Sequence, residues 1–388
     1  MKEKWKELLR HPLIWLFALF IFGFTLWDLL LPAREFSETE NRMLQQKPSF
    51  TIKSLMASGE QAYSRKYEKY INDQFVLRDG WISLKSRVES ILAKIENNNV
   101  AYGKDGYLFE KVFSIDEKNL AANLRYIGEF LDKYPNLPVT FGVIPNAYSV
   151  LTDKVPIGFS AVSVEQNQRI EELYTHLRMD YPSLKLLSLS ESLSAHKNED
   201  IYYHTDHHWT TYGAYLGYAE YVRSLGMEPA ALTEMDAHKV EGFYGTFDAK
   251  AKKAGTLSDT IVWYDIPCKV EINQEPVETL HDLSRFEVRD KYSGLMHGNK
   301  ALTVLFSECN QNPKEGETSR VLVVKDSYGN SFAPYLCYHF DEVYVVDLRY
   351  LGKMSAVLVD MDLNFNDVLI LYNFMNFVTD TNIPKLRY

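Results

Sequence analysis

The stretch RVLVVKDS, residues 320–327, decides the fold class, because it is an unbroken apolar strand that ends in Lys-Asp-Ser. Two later runs have the same character: EVYVVDLRY at residues 342–350 and DVLILYNF at residues 367–374. Apolar strands without polar alternation are typical of sheets that are buried on both faces, as parallel sheets are. The C-terminal third therefore predicts an α/β fold with a mostly parallel sheet flanked by helices.

The central part of the chain alternates between helical and strand-like segments, which is the pattern of βαβ units. The predicted elements are, in order, helix 114–134, strand 137–145, helix 164–181, strand 183–192 and helix 211–226. AYGKDGYLFEK, residues 101–111, predicts a hairpin that turns at Gly103 and Gly106. Residues from about 230 to 299 are rich in Gly, Tyr and Asp and break the alternation. We interpret them as an excursion that walls the cleft.

Composition excludes some classes of function. The formal net charge is −10 and no basic run follows the first ten residues, so a phosphate backbone is not an expected partner and nucleic acid is excluded. The three cysteines, Cys268, Cys309 and Cys337, form no C-x-x-C pair. They therefore predict neither a zinc site nor a redox motif, and one disulfide is compatible with them but not required.

The N-terminus predicts a membrane anchor. Lysine-rich residues 1–10 precede an apolar run over residues 11–32, which reaches the roughly 20 residues of a spanning helix if Asp28 lies at the far interface. The basic side is expected in the cytoplasm, and no small-x-small cleavage site follows. We therefore expect a single-pass protein of the cell membrane, with a cytoplasmic tail at 1–10, a membrane-proximal helical segment at 33–99 and an extracytoplasmic domain at 100–388. Within that segment, residues 68–98 carry the apolar spacing of an amphipathic helix.

Ser327 is the first candidate for chemistry. It follows a buried strand and precedes a predicted helix that begins near Gly329, and in open α/β sheets reactive groups collect at the carboxyl ends of strands. Nearby backbone N–H groups and the helix N-terminus could stabilise an oxyanion there. The alternative interpretation of Ser327 is an ordinary helix N-cap.

TDHHW, residues 205–209, supplies the groups that would activate such a serine. Asp206 and His208 are two residues apart, so both side chains lie on one face of an extended segment. An imidazole that takes the serine proton and a carboxylate that fixes its tautomer are the other members of a triad. His207 would point the other way and serve the structure, and Thr210 or Thr211 would cap the next helix.

Two alternatives to the triad remain open at this point. His204, Asp206, His207 and His208 are all legitimate metal ligands, although adjacent histidines seldom converge on one ion and no HExxH motif is present. The cluster could also be purely structural. The favoured interpretation is the Asp-His pair, with no metal and no cofactor.

TDHHW together with VVKDSYGNS, residues 323–331, resembles the DHHW family and its relatives, the SGNH hydrolase-like proteins of alginate O-acetylation. Further segments that look like the family pattern are ENRMLQQKPSF (40–50), YEKYINDQFVLRDG (67–80), YGKDGYLFE (102–110), KYSGLMHGN (291–299) and VVDLRYL (345–351). The resemblance implies an SGNH-like fold in circularly permuted order, since the Asp-x-His pair precedes the serine. It also implies Ser327 as nucleophile, His208 as base and Asp206 as the orienting carboxylate.

The chain departs from this pattern at Lys325, where the serine block usually has glycine. Lys325 would crowd the turn or contact an anionic sugar. Asn373 and Asn146, each at the end of a predicted strand, are candidate oxyanion donors, although an ordinary turn role is the common one. Tyr328 and Trp209 are candidates to line a sugar site, although buried aromatic residues usually belong to the core.

The resulting prediction is a membrane-anchored, extracytoplasmic O-acetyltransferase that modifies a cell-envelope or exopolysaccharide. The resemblance implies a membrane-bound O-acyltransferase as the partner that delivers the acyl group, because acetyl-CoA is absent outside the cytoplasm. Three rivals are an acetylesterase with the same triad, a catalytically silent polysaccharide-binding or assembly protein, and a metal hydrolase.

Overall fold

The computed structural model describes residues 11–388 with the exception of residues 38, 39, 41, 360 and 362. The chain divides into two compact units. The first contains the chain up to Lys94 together with Lys252–Ala254, and the second contains Ile95–Ala251 and Gly255–Tyr388. The cytoplasmic tail predicted at residues 1–10 lies outside the described residues, and the domain roles predicted for 33–99 and 100–388 stay predictions.

The first unit is mostly helical. Its elements are α1 (Pro12–Leu30), β1 (Phe36–Ser37), β2 (Arg42–Met43), α2 (Ile52–Met56), α3 (Tyr63–Gln74) and α4 (Arg78–Ile91). The amphipathic pattern of residues 68–98 does not form one helix, because the chain breaks between α3 and α4, where Leu77 has a φ of 54°. The buried carboxylate of Asp73 fixes α3 by accepting two hydrogen bonds from the Arg42 guanidinium, at 2.6 and 2.9 Å.

The segment predicted as a membrane anchor forms α1, and the expectation of a spanning helix is not supported. Asp28 lies inside the helix, which ends at Leu30. Among the described residues, no helix combines the length and the apolar character needed to cross a membrane.

The second unit contains thirteen strands and nine α-helices within the described residues. Its strands are β3 (Glu96–Asn97), β4 (Val100–Tyr102), β5 (Leu108–Glu110), β6 (Val139–Ile144), β7 (Lys185–Ser188), β8 (Asp236–Phe243), β9 (Asp259–Asp265), β10 (Cys268–Ile272), β11 (Glu275–Val277), β12 (Leu302–Ser307), β13 (Arg320–Lys325), β14 (Glu342–Val346) and β15 (Asp367–Asn373). Its helices are α5 (Glu117–Lys133), α6 (Ala147–Val150), α7 (Gln166–Asp180), α8 (Ser190–Ala195), α9 (Thr211–Ser224), α10 (Thr246–Ala251), α11 (Gly329–Phe332), α12 (Ser355–Leu358) and α13 (Phe374–Thr379).

An eight-stranded sheet runs through this unit in the order β11-β10-β12-β14-β13-β15-β6-β7. The five strands from β14 to β7 are parallel, which agrees with the predicted flanked, mostly parallel sheet. The other three are antiparallel to their neighbours and were not predicted. Two of them, β10 and β11, come from the excursion at residues 230–299, so this segment extends the sheet as well as covering it.

Strand β13 lies in the middle of the parallel part and is buried on both faces. Val321 and Val323 pack into the core on one side of the sheet, where α9 and the 3-10 helix Ala333–Tyr338 lie. Leu322 and Val324 pack into the core on the other side. This double burial explains why the strand is apolar throughout, and it fixes the position of the residues that follow it.

Three smaller elements surround the carboxyl end of the sheet. Strands β3, β4 and β5 form the predicted hairpin region as an antiparallel sheet. Strands β8 and β9 form a separate two-stranded ribbon, and α10 follows β8 closely. Each supplies residues to the site described next.

Candidate active site

Ser327 lies in the turn between β13 and α11, and it is partly exposed. Asp326 holds this turn, because its buried carboxylate accepts three hydrogen bonds. The donors are the backbone N–H of Tyr328 at 2.9 Å, the backbone N–H of Asn373 at 2.8 Å and the side chain of Asn376 at 2.7 Å. The helix expected near Gly329 has only four residues before it tightens into a 3-10 helix. Its dipole would therefore stabilise an oxyanion less than the longer helix predicted from the sequence.

The structure brings Asp206, His208 and Ser327 together. His208 Nε2 lies 2.7 Å from Ser327 Oγ, across 119 positions of sequence. His208 Nδ1 lies 2.5 Å from Asp206 Oδ1. The three side chains therefore form a continuous chain of hydrogen bonds from a buried carboxylate to a partly exposed hydroxyl.

The Asp206 carboxylate is fixed on every side. Its Oδ2 accepts hydrogen bonds from the Thr246 backbone N–H at 2.8 Å and from the Thr246 hydroxyl at 3.0 Å. Gly245 allows this approach, because a Cβ there would lie 2.2 Å from the Cβ of Asp206. Burial favours the protonated form, but the neighbouring His207 and His208 outweigh it and hold the pKa of Asp206 well below its ordinary range. Asp206 is therefore ionised near neutral pH.

His208 is buried, with 6% of its surface exposed. Burial, together with the charge of His207, lowers the pKa of His208 to about 4 although Asp206 acts in the opposite direction. The ring is therefore neutral at pH 7. With Nδ1–H donating to Asp206, the unprotonated Nε2 faces Ser327 and can accept its proton.

Tyr292 covers the face of the His208 ring. The two rings are parallel within 11°, with centroids 3.8 Å apart. The Tyr292 hydroxyl donates to the backbone carbonyl of Ser327 at 3.1 Å. One side chain therefore contacts both the imidazole and the serine turn.

Asp259, the first residue of β9, anchors the loop that carries the histidines. Its carboxylate accepts hydrogen bonds from four groups of His204 and Thr205. They are the His204 N–H at 2.8 Å, the His204 Nδ1 at 3.0 Å, the Thr205 N–H at 2.8 Å and the Thr205 hydroxyl at 2.5 Å. Further along the loop, Thr210 caps α9 by accepting from the Gly213 N–H at 3.1 Å, as expected from the sequence.

His207 turns away from Ser327. Its Nδ1 lies 2.8 Å from the Thr246 hydroxyl, and its ring packs against the His208 ring with centroids 3.8 Å apart. Burial alone would lower the pKa of His207, but the charge of Asp206 raises it above the ordinary value. The side chain is partly exposed and lines a cavity.

Asp206, His207 and His208 could together approach a metal ion, because their ligand atoms lie within 4.8 Å of one another. The same atoms already have partners in the protein: His208 Nε2 faces Ser327, and Asp206 Oδ2 faces Thr246. A metal at this position would break the Asp206–His208–Ser327 chain. The donor set therefore fits a hydrogen-bonded triad better than a metal centre.

The structure does not bring four of the five side chains that were predicted to contact substrate or an oxyanion to an accessible surface. Trp209, Tyr328, Asn373 and Lys325 are all buried. Trp209 Nε1 donates to the Tyr328 carbonyl at 3.0 Å, and the Asn373 side chain caps α13. The Asn373 amide donates to the Ile144 carbonyl at 3.1 Å, so it is not an oxyanion donor. These groups are part of the packed support of the site. The fifth, Asn146, is partly exposed and lines the cavity beside His207.

Lys325 is 1% exposed and points into the protein, so the expected contact with an anionic sugar is corrected. Its ammonium lies 2.9 Å from Asn299 Oδ1, 2.5 Å from Asn330 Oδ1 and 3.8 Å from Asp347 Oδ2. Burial lowers the pKa of Lys325 to about 8. The turn accommodates this side chain because glycine at 329 leaves room, where a Cβ would lie 2.6 Å from the Lys325 Cβ.

Sequence reasoning missed Tyr292, Thr246, Gly245 and Asp259, all of which lie in the excursion at residues 230–299. One signal was available: Tyr292 belongs to KYSGLMHGN, one of the segments that resemble the DHHW family. The other three act through long-range hydrogen bonds and close approach, which no local pattern reports.

The fold and the site define an α/β protein with an Asp-His-Ser arrangement at the carboxyl end of a parallel sheet. The sequence profile described as DHHW protein matches residues 137–346, more than half of the chain. The chain therefore belongs to the DHHW family, as the sequence resemblance indicated. Comparison with curated protein sequences gives no significant match.

Solved structures with a similar fold include a DHHW family protein from Eubacterium siraeum, with a TM-score of 0.61 and 22% identity, covering 76% of this chain and 96% of that one. Another is PatB1 from Bacillus cereus, with a TM-score of 0.58 and 20% identity. The match covers 73% of this chain and 97% of PatB1. The structure of Bacillus cereus PatB1 with a sulfonyl adduct gives a TM-score of 0.58 and 18% identity. The match covers 74% of this chain and 100% of that one. At these identities, the similarity establishes a shared fold.

Proposed function

We propose that this protein is a serine-dependent O-acyltransferase that moves an acetyl group to a hydroxyl of a cell-envelope or exopolysaccharide. The observation that carries the proposal is the unbroken chain Asp206–His208–Ser327, with distances of 2.5 and 2.7 Å. A buried acid, a neutral imidazole and a reachable hydroxyl in this order are the requirements of nucleophilic acyl transfer.

In the first half-reaction, His208 Nε2 takes the proton of Ser327 as Oγ attacks the acyl carbonyl. The imidazolium that forms is stabilised by ionised Asp206. The leaving group of the donor then takes the proton from His208, and the acyl group remains on Ser327 as an ester. Among the described residues, none accepts a hydrogen bond from the Ser327 backbone N–H, which leaves this N–H available to the developing oxyanion.

In the second half-reaction, His208 takes the proton of an acceptor hydroxyl, which attacks the serine ester. Ser327 Oγ leaves and recovers the proton from His208. Water can replace the sugar in the same step, so the outcome depends on how well the acceptor is positioned and water excluded.

The proposal includes a location outside the cytoplasm and a membrane-bound O-acyltransferase as donor partner. Helix α1 supports membrane association, because it exposes apolar side chains such as Leu13, Phe17 and Phe22, and such a patch is unfavourable in water. Fractionation of cells that express the full chain tests the location. Recovery of the protein in the soluble cytoplasmic fraction would contradict it.

Mass spectrometry after exposure to p-nitrophenyl acetate tests the nucleophile. The expected adduct is an acetyl group on the peptide that contains Ser327, absent in Ser327→Ala and strongly reduced in His208→Ala. Because a similar fold has been solved with a sulfonyl adduct, a sulfonyl fluoride provides a second probe of the same hydroxyl. An adduct on another residue, or none, would sink the proposal.

Transfer and hydrolysis are separated by adding an acceptor. With an activated acetyl ester and an oligosaccharide, a transferase yields an acetylated sugar, whereas an esterase yields acetate at an unchanged rate. Addition of a chelator should leave the rate of transfer or hydrolysis unchanged. Loss of activity with the chelator would favour the metal hydrolase.

A further inference from the structure

A cavity of about 340 Å³ opens beside His207. Its lining includes Phe109, Phe113, Asn146, His207, Phe247 and Met375. The volume is within the range of about 300–1,000 Å³ that small-molecule sites occupy. Since the His207 ring packs on His208 at 3.8 Å, the cavity begins one ring away from the base that faces Ser327.

The walls of the cavity are tied to the loop that carries Asp206 and His208. The hairpin wall is held where the Leu108 N–H donates to the His204 carbonyl at 2.8 Å. The α10 wall is held where the Phe247 and Asp248 N–H groups donate to the Thr205 carbonyl at 2.9 and 3.0 Å. A group bound in the cavity therefore has a fixed position relative to the reacting side chains, which is what transfer to an acceptor requires.

The surface chemistry of the cavity suits a ring with one apolar face and polar edges. Phe113 is 58% exposed and offers its ring to a ligand. Asn146 and His207 supply polar groups to the lining. Asn146 Oδ1 accepts a hydrogen bond from Gln166 Nε2 at 2.9 Å, which fixes the orientation of this amide. Aromatic surface with a few placed polar groups is typical of sites that orient a small ligand.

The charges of the cavity are already paired. Lys111 forms an ion pair with Glu96 at 2.5 Å and lies over the Phe113 ring at 5.4 Å. Glu110 pairs with Lys250 at 2.5 Å. Recognition of a carboxylate ordinarily uses an unpaired cation, best an Arg fork. The described lining residues offer none, because His207, the remaining basic residue of the lining, is paired with Asp206 at 3.4 Å. The formal net charge of −10 adds repulsion for a polyanion.

We propose that this cavity is the acceptor subsite and that it binds an uncharged sugar residue in preference to a uronic acid. The inference rests on the proposed function, since it assigns the acceptor class of the same site. Phe113 is the aromatic platform, and Asn146 is the polar contact that orients the ring.

The test uses the full-length protein carrying Ser327→Ala, so that binding is measured without chemistry. Isothermal titration compares neutral hexamers of β-1,4-linked glucose and N-acetylglucosamine with a mannuronate hexamer of equal length. At least one neutral hexamer should bind about tenfold more tightly than the mannuronate hexamer. Equal or tighter binding of the uronate, or no binding of either neutral hexamer, would overturn the inference.

Phe113→Ala in the same background should lower the affinity for the neutral hexamer by about tenfold, a typical loss for one aromatic contact. Tyr388→Ala is the matched control, because that ring is equally exposed, at 54%, and lies outside the cavity lining. Equal affinity in the two variants would contradict the platform role. Glu110→Gln, which removes a negative charge from the lining, should improve binding of the uronate hexamer at low salt, and no improvement would contradict the charge argument.

The acyl-adduct experiment with p-nitrophenyl acetate separates this inference from the proposed function. An adduct on Ser327 without binding of a neutral hexamer would leave the function standing and remove the subsite. Binding of a neutral hexamer without any adduct would support the sugar site and reject the acyltransferase.

Discussion

The phenol ring of Tyr292 lies parallel to the imidazole of His208 at 3.8 Å, and its hydroxyl donates to the carbonyl of Ser327. One side chain thus fixes the distance between the proposed base and the proposed nucleophile. We expect Tyr292→Ala to lower kcat/KM for an activated acetyl ester by about 10²-fold, because a small misplacement of reacting groups has costs of this order. Tyr292→Phe keeps the stacked ring, and it should retain most of the activity. Steady-state kinetics on folded protein, verified by circular dichroism, measures both, and equal losses in the two variants would contradict the role of stacking.

Gly245→Ala tests the close approach of the excursion to Asp206. The new methyl group would collide with Asp206, since a Cβ lies 2.2 Å from the Asp206 Cβ. We expect a loss of about 1–3 kcal/mol in the free energy of unfolding, as for other overpacked sites, and a larger fractional loss of acyl transfer. Gly352→Ala is the matched control, because a Cβ there meets nothing within 4 Å. Urea denaturation and ester kinetics give the two readouts, and similar behaviour of the two variants would argue against the contact.

The acid limb in the pH profile of serine acylation should lie at an unusually low pH. His208 acts only when neutral, and its pKa is lowered to about 4. Activity should therefore be lost as pH falls through about 4 and should be flat from about pH 5.5 to 7.5, whereas an ordinary histidine would give a limb near 6.5.

The charge of His207 contributes to this shift. His207→Gln should therefore move the acid limb of kcat/KM to higher pH. A wild-type limb near 6.5, or a variant limb that does not move, would contradict the assignment of His208 as the base.

Lys325→Gly introduces the glycine that the family resemblance implies before Asp-Ser, and we expect it to destabilise the protein. It leaves a cavity and removes the donor that faces Asn299 and Asn330, with a cost of about 2–4 kcal/mol in the free energy of unfolding.

Lys325→Met is the control for packing without charge. Asp347 keeps its pairing with Arg349 at 2.5 Å in that variant, so we expect a smaller loss than with glycine. Thermal and chemical denaturation compare the two. Full stability of Lys325→Gly would show that the lysine is dispensable to the turn.

The parallel part of the sheet could be predicted from sequence because its strands are buried on both faces. Runs such as Val321–Val324 contain no polar residue and end at polar turns, which is a strong local signal. The antiparallel strands β10 and β11 lie at the edge of the sheet and carry mixed apolar and polar residues. Their pairing is set by contacts with β12, and a partner distant in sequence leaves no local pattern.

The Asp206–His208 pair could also be predicted, because a spacing of two places both side chains on one face. The roles expected of Trp209 and Tyr328 could not be decided in this way. An aromatic residue beside a reactive group can face the ligand or support the turn from behind, and the sequence is the same in both cases. Here Trp209 and Tyr328 are both buried in the core, so they support the turn and do not face a ligand.

The four hydrogen bonds that Asp259 accepts from His204 and Thr205 make the histidine loop depend on a strand that the parallel sheet does not need. The Asp206–His208 pair is thus in place before any ligand binds, and the entropy cost of ordering the loop is incurred during folding. Local unfolding of the β8–β9 ribbon would remove these four hydrogen bonds and release the loop that carries Asp206 and His208. An attempt to miniaturise the protein by trimming that ribbon would also remove Phe243 and Ile261, which pack against Tyr203 and Tyr292, and would therefore remove the support of Asp206 and His208.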